Sequence, residues 1–182
     1  MALLRLFRRR DRRRKTAPAS TPLQSTEETN ARLRALGATI GEGCLIYSTA
    51  FSTEPYLVTL GNRVAVSGGV KFLPHDGAVW LLRQRRPHAQ VFGRIVVEDD
   101  CYIGENALLL PGTRVGRGSV VAAGAVLKGR FPENSVIAGN PARAVGRASL
   151  LAELMDQSAS TLDSLHLPPD ERRALVLERT RP

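Results

Sequence analysis

Few side chains of this 182-residue chain are of types that could do chemistry: His75, His88 and His166, the thiols Cys44 and Cys101, and the carboxylate run Glu98, Asp99, Asp100. A neutral imidazole, with a pKa of about 6.5, can take a proton from an attacking hydroxyl or amine at cellular pH. His88 lies in a stretch rich in Arg and Pro and His166 in the tail, and both read as solvated. His75 differs, because it stands where a regular repeat ends and an insertion begins, with Asp76 beside it as the residue that could orient the ring. A thiol attacks only as the thiolate. Cys44 and Cys101 each follow an aliphatic residue, Ile40 and Val97, by four positions, where packing explains both. The carboxylate run reads as a solvated face or as the polar wall of a cleft.

The elements that must position these groups are written in a six-residue period. Val97, Ile103, Leu109, Val115, Val121 and Leu127 share one phase, and four residues after the first five come Cys101, Ala107, Thr113, Ser119 and Ala125, all small. The pattern stops at Phe131 and Pro132. A period of six drifts around an α-helix and makes no continuous stripe. It fits a triangular coil of three short strands per turn, with aliphatic anchors inside and small residues where two sides converge. Gly104, Gly112, Gly116 and Gly124 are expected to supply the corner dihedrals.

The same pairs occur upstream in other phases: Ile40 with Cys44, Ile46 with Ala50, Leu60 with Val64, Val66 with Val70. From Ile40 to Leu60 is 20 residues, two more than three units, and from Leu60 to Val97 is 37, one more than six units. Insertions are therefore predicted around 51–56 and between 72 and 94. Loops held by a rigid scaffold are where sites tend to be built.

The chain carries a formal +9, yet eight basic side chains against Asp11 alone put +7 of it in residues 1–15. A basic surface is thus not a property of the folded part, and nucleic acid is not an expected partner. Residues 1–24 read as a basic arm and a Pro, Ser and Thr-rich linker. Leu3, Leu4, Leu6 and Phe7 ahead of the arginines suit shallow attachment to an anionic membrane surface, and a disordered solubilising tail fits equally. Ser25 with Glu28 fits a capping box, with Ala31, Leu33, Ala35 and Leu36 as the apolar face and Gly37 as the stop. The main domain is expected over 25–148 and a helical extension over 149–182, its Leu150, Leu151, Leu154, Met155, Leu162 and Leu165 covering the end of the coil and a second helix starting at Pro168-Pro169-Asp170. Two cysteines make no disulfide framework, and no stretch has the roughly 20 apolar residues that cross a bilayer. The expected place is cytoplasmic, or peripheral at the inner membrane surface if the arm binds lipid.

Five segments carry a resemblance: Ser52-Thr-Glu-Pro-Tyr-Leu57, Val70-Lys-Phe-Leu-Pro-His-Asp-Gly-Ala-Val-Trp80, Tyr102-Ile-Gly to Leu-Pro-Gly112, Ala122-Ala-Gly-Ala-Val126 and Ile137-Ala-Gly-Asn-Pro-Ala-Arg143. Through them residues 37–147 resemble the hexapeptide-repeat acyltransferases, nearest to the maltose acetyltransferase-like branch with its many sugar and polysaccharide O-acetyltransferases. Relatives often have Thr where this chain has Pro74.

The resemblance implies an all-β fold, a left-handed parallel β-helix with a projecting loop, a short N-terminal helix and C-terminal helices. It implies a homotrimer with clefts between neighbouring prisms, acetyl-CoA as donor, no metal, and direct transfer to a sugar or glycan acceptor. His75 would be the general base and Asp76 its companion. Ala123, Gly124 and Ala125 would line the donor's pantetheine arm, Lys128 and Arg143 would meet its phosphates, and Trp80 and Arg83 would belong to the loop over the acceptor, with Arg85 and Arg86 in the same loop. Two other functions use this architecture: a structural β-helix subunit, and a γ-class carbonic anhydrase, which needs three histidine ligands.

Overall fold

The computed structural model describes residues 22–181, so the basic arm and most of the linker lie outside the described residues. After helix α1 (Pro22–Ala35) come short strands in three parallel stacks. The first stack is β1 (Thr39–Ile40), β3 (Val58–Leu60), β6 (Ile95–Val97), β9 (Arg114–Val115) and β12 (Arg130–Phe131). The second is β2 (Leu45–Ile46), β4 (Ala65–Val66), β7 (Tyr102–Ile103), β10 (Val120–Val121) and β13 (Ser135–Gly139), closed by the antiparallel β14 (Ala142–Arg147). The third holds β5 (Lys71–Phe72), β8 (Leu108–Leu109) and β11 (Val126–Leu127), with Ala50 bridging Lys71 beneath it. The chain visits the stacks in rotation, which makes a three-sided parallel β-helix. Helices α2 (Ala148–Asp156) and α3 (Pro169–Arg179) follow.

The six-residue anchors are the interior. Ile46, Leu60, Val66, Val97, Ile103, Leu109, Val115, Val121 and Leu127 are all buried, and Cys101, Ala107, Thr113, Ser119 and Ala125 are buried in the small slots. β6, β7 and β8 each pair with the strand 18 residues later, as in Tyr102 with Val120 and Leu108 with Val126, and the last coil is two residues shorter, Arg114 pairing with Arg130 and Val120 with Val136. Leu60 pairs directly with Val97, so the 37-residue step between them is one coil carrying a long excursion, and the "six units and one" of the sequence is a coincidence of number. In the first coil Ser48, not Ala50, takes the buried small slot and bonds to the Val70 carbonyl at 2.5 Å.

The corner glycines divide into two kinds. Positive φ recurs every six residues at Asp100, Asn106, Gly112, Gly118 and Gly124, with values of 58–83°. Gly104 and Gly116 are not among them. A Cβ on Gly104 would lie 2.6 Å from the Ala123 nitrogen, and one on Gly116 would lie 2.4 Å from the Glu133 nitrogen. Their role is to let adjacent coils approach, which corrects the dihedral role expected for them.

The ends also differ from expectation. Helix α1 begins three residues before Ser25, so no capping box starts there, and its buried positions are Thr26, Asn30 and Leu33 while Ala31, Ala35 and Leu36 are exposed. Asn30 Nδ2 donates to the Cys44 carbonyl at 2.9 Å and ties the helix to the first coil. Gly37, at φ +97°, ends the helix as predicted. At the other end α2 rests on β13 and β14, but Leu150, Leu154, Met155 and Leu165 remain exposed. The reversed strand β14, paired along β13, is what covers the second stack, so the leucines are not needed for it. Among the described residues no helix is long and apolar enough to cross a membrane.

Candidate active site

Both predicted insertions leave the prism at the same corner, after the third stack. Phe51, at the root of the first, is buried against Phe72, at the root of the second, with ring centroids 4.4 Å apart. This contact holds the two roots together, an arrangement worth about 1 kcal/mol beyond the area it buries. The first excursion then turns through Ser52, a non-glycine residue at φ +59°, into a 3-10 turn at Pro55–Leu57. The second runs from Leu73 to Arg94 and is pinched at its base, where Asp76 N donates to the Val91 carbonyl at 3.0 Å and Gly93 N to the Pro74 carbonyl at 2.8 Å. Its crest is a 3-10 helix at Gly77–Leu82.

Between the two excursions His75 meets a carboxylate. Its Nδ1 lies 2.7 Å from Glu54 Oε2, with Ser52 Oγ at 3.4 Å. The Glu54 side chain is 12% exposed and that of His75 41%, so the pair is buried on the carboxylate side and open on the ring side. The Thr53 hydroxyl, donating to Glu54 Oε1 at 2.5 Å, and then the imidazole hold the Glu54 carboxyl below the usual carboxylate range. An ionised carboxylate only accepts, so Nδ1 carries a proton, and in the neutral ring the lone pair is left on Nε2, on the side away from Glu54. The pair opens into a cleft of about 190 Å³ between Thr53 and Glu54 on one side and Val91 and Phe92 on the other, with Val79 and Arg83 at its edge.

Asp76 does not orient the ring. Its carboxylate accepts from Ala78 N at 2.9 Å and caps the crest helix, a short-range bond that turns it away from its neighbour's imidazole. Glu54 occupies the position expected of it. Arg83 lines the cleft, and its guanidinium donates to the Pro87 and Ala89 carbonyls at 2.5 and 3.1 Å, bracing the loop. Trp80 is 74% exposed at the crest, which removes burial in its own chain as an explanation for it.

The expected donor residues lie elsewhere on the prism. Leu127 is in register with Leu109, and Leu109 with Phe72, so Lys128 stands two coils from Leu73 on the corner that His75 shares, roughly 10 Å along the axis. Ala123, Gly124 and Ala125 form the opposite edge of the third stack; Gly124 has φ +69° and open space where a Cβ would be. Arg143 is exposed on β14 opposite Ala138. None of these residues lines the His75 cleft of its own chain.

The remaining reactive types are structural. Burial raises both thiols; Cys44 Sγ donates to the Gly61 carbonyl at 3.1 Å and Cys101 Sγ to that of Gly116 at 3.2 Å. Glu98, Asp99 and Asp100 pair with Arg114, Arg117 and Arg63 along the first corner. Among the described residues no three His, Cys, Asp or Glu side chains gather as metal ligands.

Comparison with known proteins adds to this geometry. Residues 94–129 match the model described as bacterial transferase hexapeptide (six repeats). The chain is 40% identical over 117 residues to protein CapG of Staphylococcus aureus, covering 63% of this chain and 68% of CapG. It is 39% identical over 72 residues to the 2,3,4,5-tetrahydropyridine-2,6-dicarboxylate N-acetyltransferase of S. aureus, 40% of this chain and 30% of that enzyme. Serine acetyltransferase of Neisseria gonorrhoeae superposes with a TM-score of 0.50 at 25% identity, over 67% of this chain and 43% of that one. The chain thus spans less than half the length of these two acetyltransferases, and the shared hexapeptide coil implies left-handed winding.

Proposed function

Because the chain belongs to the bacterial hexapeptide-repeat transferases, we propose that it moves an acetyl group from acetyl-CoA to a hydroxyl or amine of a sugar or glycan acceptor, with His75 as general base. The observation that carries this reading is the Glu54–His75 pair, a fixed tautomer with Nε2 directed away from its carboxylate partner. Nε2 takes the acceptor's proton as its oxygen or nitrogen attacks the thioester carbonyl. Glu54 stabilises the imidazolium so formed. The tetrahedral intermediate collapses with cleavage of the C–S bond, and the imidazolium returns the proton to the leaving thiolate.

The donor lies along the third stack, with Ala123, Gly124 and Ala125 leaving room for the pantetheine arm and Lys128 and Arg143 meeting phosphate. A cleft of about 190 Å³ is small for acyl-CoA and acceptor together, which supports completion by a second copy. The prism's outer columns support this as well. On the second stack the outward column in register is Leu45, Ala65, Tyr102, Val120 and Val136; on the first it is Thr39, Thr59, Val96, Arg114 and Arg130. An apolar column beside one that ends in two arginines supports packing of the second-stack face in a homotrimer.

The test is thiol release from acetyl-CoA by the purified chain against a panel of sugar and amino-sugar acceptors. Acceptor-dependent release is expected. Absence of release with every acceptor, together with no binding of CoA, would leave the β-helix as a structural subunit.

A further inference from the structure

Two large residues at the crest of the loop, Trp80 and Leu81, do not line the cleft. Trp80 and Leu81 stand side by side on the 3-10 helix Gly77–Leu82, 74% and 84% exposed, with Val91 and Phe92 also half-exposed lower on the loop. Exposure of this degree in adjacent large apolar residues is unusual on a soluble surface. Beyond the capping Asp76 the loop carries charge of one sign. Between Asp76 and Glu98 the chain has Arg83, Arg85, Arg86 and Arg94 and no carboxylate. Arg85 and Arg86 are exposed, and their side chains make no hydrogen bond or ion pair among the described residues. The crest is not a loose strap: the base is pinched by the Asp76–Val91 and Pro74–Gly93 bonds, Asp76 caps the helix, and Arg83 braces the descending limb.

From this juxtaposition we infer that the crest docks on an anionic lipid bilayer, Trp80 and Leu81 entering the headgroup boundary while Arg85 and Arg86 meet lipid phosphates. An indole beside an aliphatic side chain, flanked by unpaired guanidiniums, is the composition that partitions to such an interface. A sugar platform would account for the indole and leave Leu81 and the two free arginines without a partner. Docking through the crest brings the open side of His75 to the membrane surface, so an acceptor carried by a lipid would reach it without leaving the bilayer. The inference concerns lipid contact, and its test needs neither donor nor acceptor.

Trp80 is the only tryptophan in the chain, so its emission reports the crest alone, whatever residues 1–15 do. The full chain is titrated with phosphatidylcholine vesicles with and without phosphatidylglycerol, some carrying brominated acyl chains. Expected with the anionic vesicles are a shift of Trp80 emission to shorter wavelength, quenching by the brominated lipid, and reversal by salt. Arg85→Ala with Arg86→Ala weakens the vesicle dependence of that emission by roughly thirtyfold, at about 1 kcal/mol for each cation. Leu81→Asp removes the shift while leaving the far-ultraviolet circular dichroism unchanged. Sedimentation with vesicles while Trp80 emission stays constant would overturn the inference and assign lipid contact to another part of the chain. Trp80 emission already protected from acrylamide without vesicles would overturn it too, because a protein contact would then cover the crest.

Discussion

Glu54 and His75 lie in register on neighbouring coils: they are separated by the same 21 residues as Ala50 and Lys71, the bridged pair four positions earlier in each coil. The carboxylate and the imidazole therefore continue a β-ladder past its last backbone contact, and their 2.7 Å bond is held by the packing of Phe51 on Phe72 beneath them.

His75→Ala removes the proton acceptor. Turnover measured by thiol release should fall by about two to four orders of magnitude, while CoA affinity and the unfolding midpoint stay near those of the parent chain. Transfer close to the parent rate would end the general-base assignment.

Glu54→Gln keeps the shape and removes the charge that stabilises the imidazolium. A loss of about ten to a hundredfold in kcat with little change in donor KM is expected, whereas Asp76→Asn, which alters only a helix cap, should leave kcat within a few-fold. The opposite ranking would return the orienting role to Asp76.

The lowered pKa of Glu54 gives a pH signature. Its contribution to stability is fully present above the usual carboxylate range and is lost as pH falls through the depressed folded value. Thermal unfolding of the parent and Glu54→Gln should differ at neutral pH and converge in strong acid. A gap that stays constant down to strong acid would contradict the ionised pair.

The two kinds of corner glycine should respond differently to alanine. At Gly112 or Gly118 the cost is about 1–2 kcal/mol for left-handed backbone, with open space for the methyl group. At Gly116 the new Cβ would stand 2.4 Å from backbone of the next coil, so Gly116→Ala should unfold at markedly lower denaturant than either.

Tyr102→Glu with Val120→Lys places charge on the outward column of the second stack. Light scattering should find the proposed trimer dissociated and activity lost, with each chain still folded. An active monomer would remove self-association from the mechanism.

Much of the fold was legible because its period was: one anchor phase names the interior from Val97 to Leu127, and the two phase slips name the corner where both loops leave. His75 was legible for the same reason, lying at a slip. Its partner was not, because adjacency in sequence favoured Asp76, whereas contact in a coil is set by the offset between turns. A carboxylate inside the first slip, one coil below the histidine, was the available signal. The second interval misled because 37 residues fit two coils plus one as well as one coil plus a loop. The ends were least legible, since a helix that covers an irregular coil end need not follow an amphipathic pattern: α1 buries Thr26 and Asn30 along with Leu33, and α2 leaves most of its leucines out.

The 18-residue offset between β6–β8 and β9–β11 fixes how such a molecule can change in size. Excising 18 residues between two equivalent corners would shorten the column by one storey and leave every later strand above the stack it now occupies. Excising six would turn all that follows by a third of a revolution, carrying the terminal hairpin of β13 and β14 onto a different side. Lys128 would then no longer stand above the corner it now shares with His75. The height of the column is thus quantised, and only whole storeys can be gained or lost without moving the residues proposed for the donor to another wall.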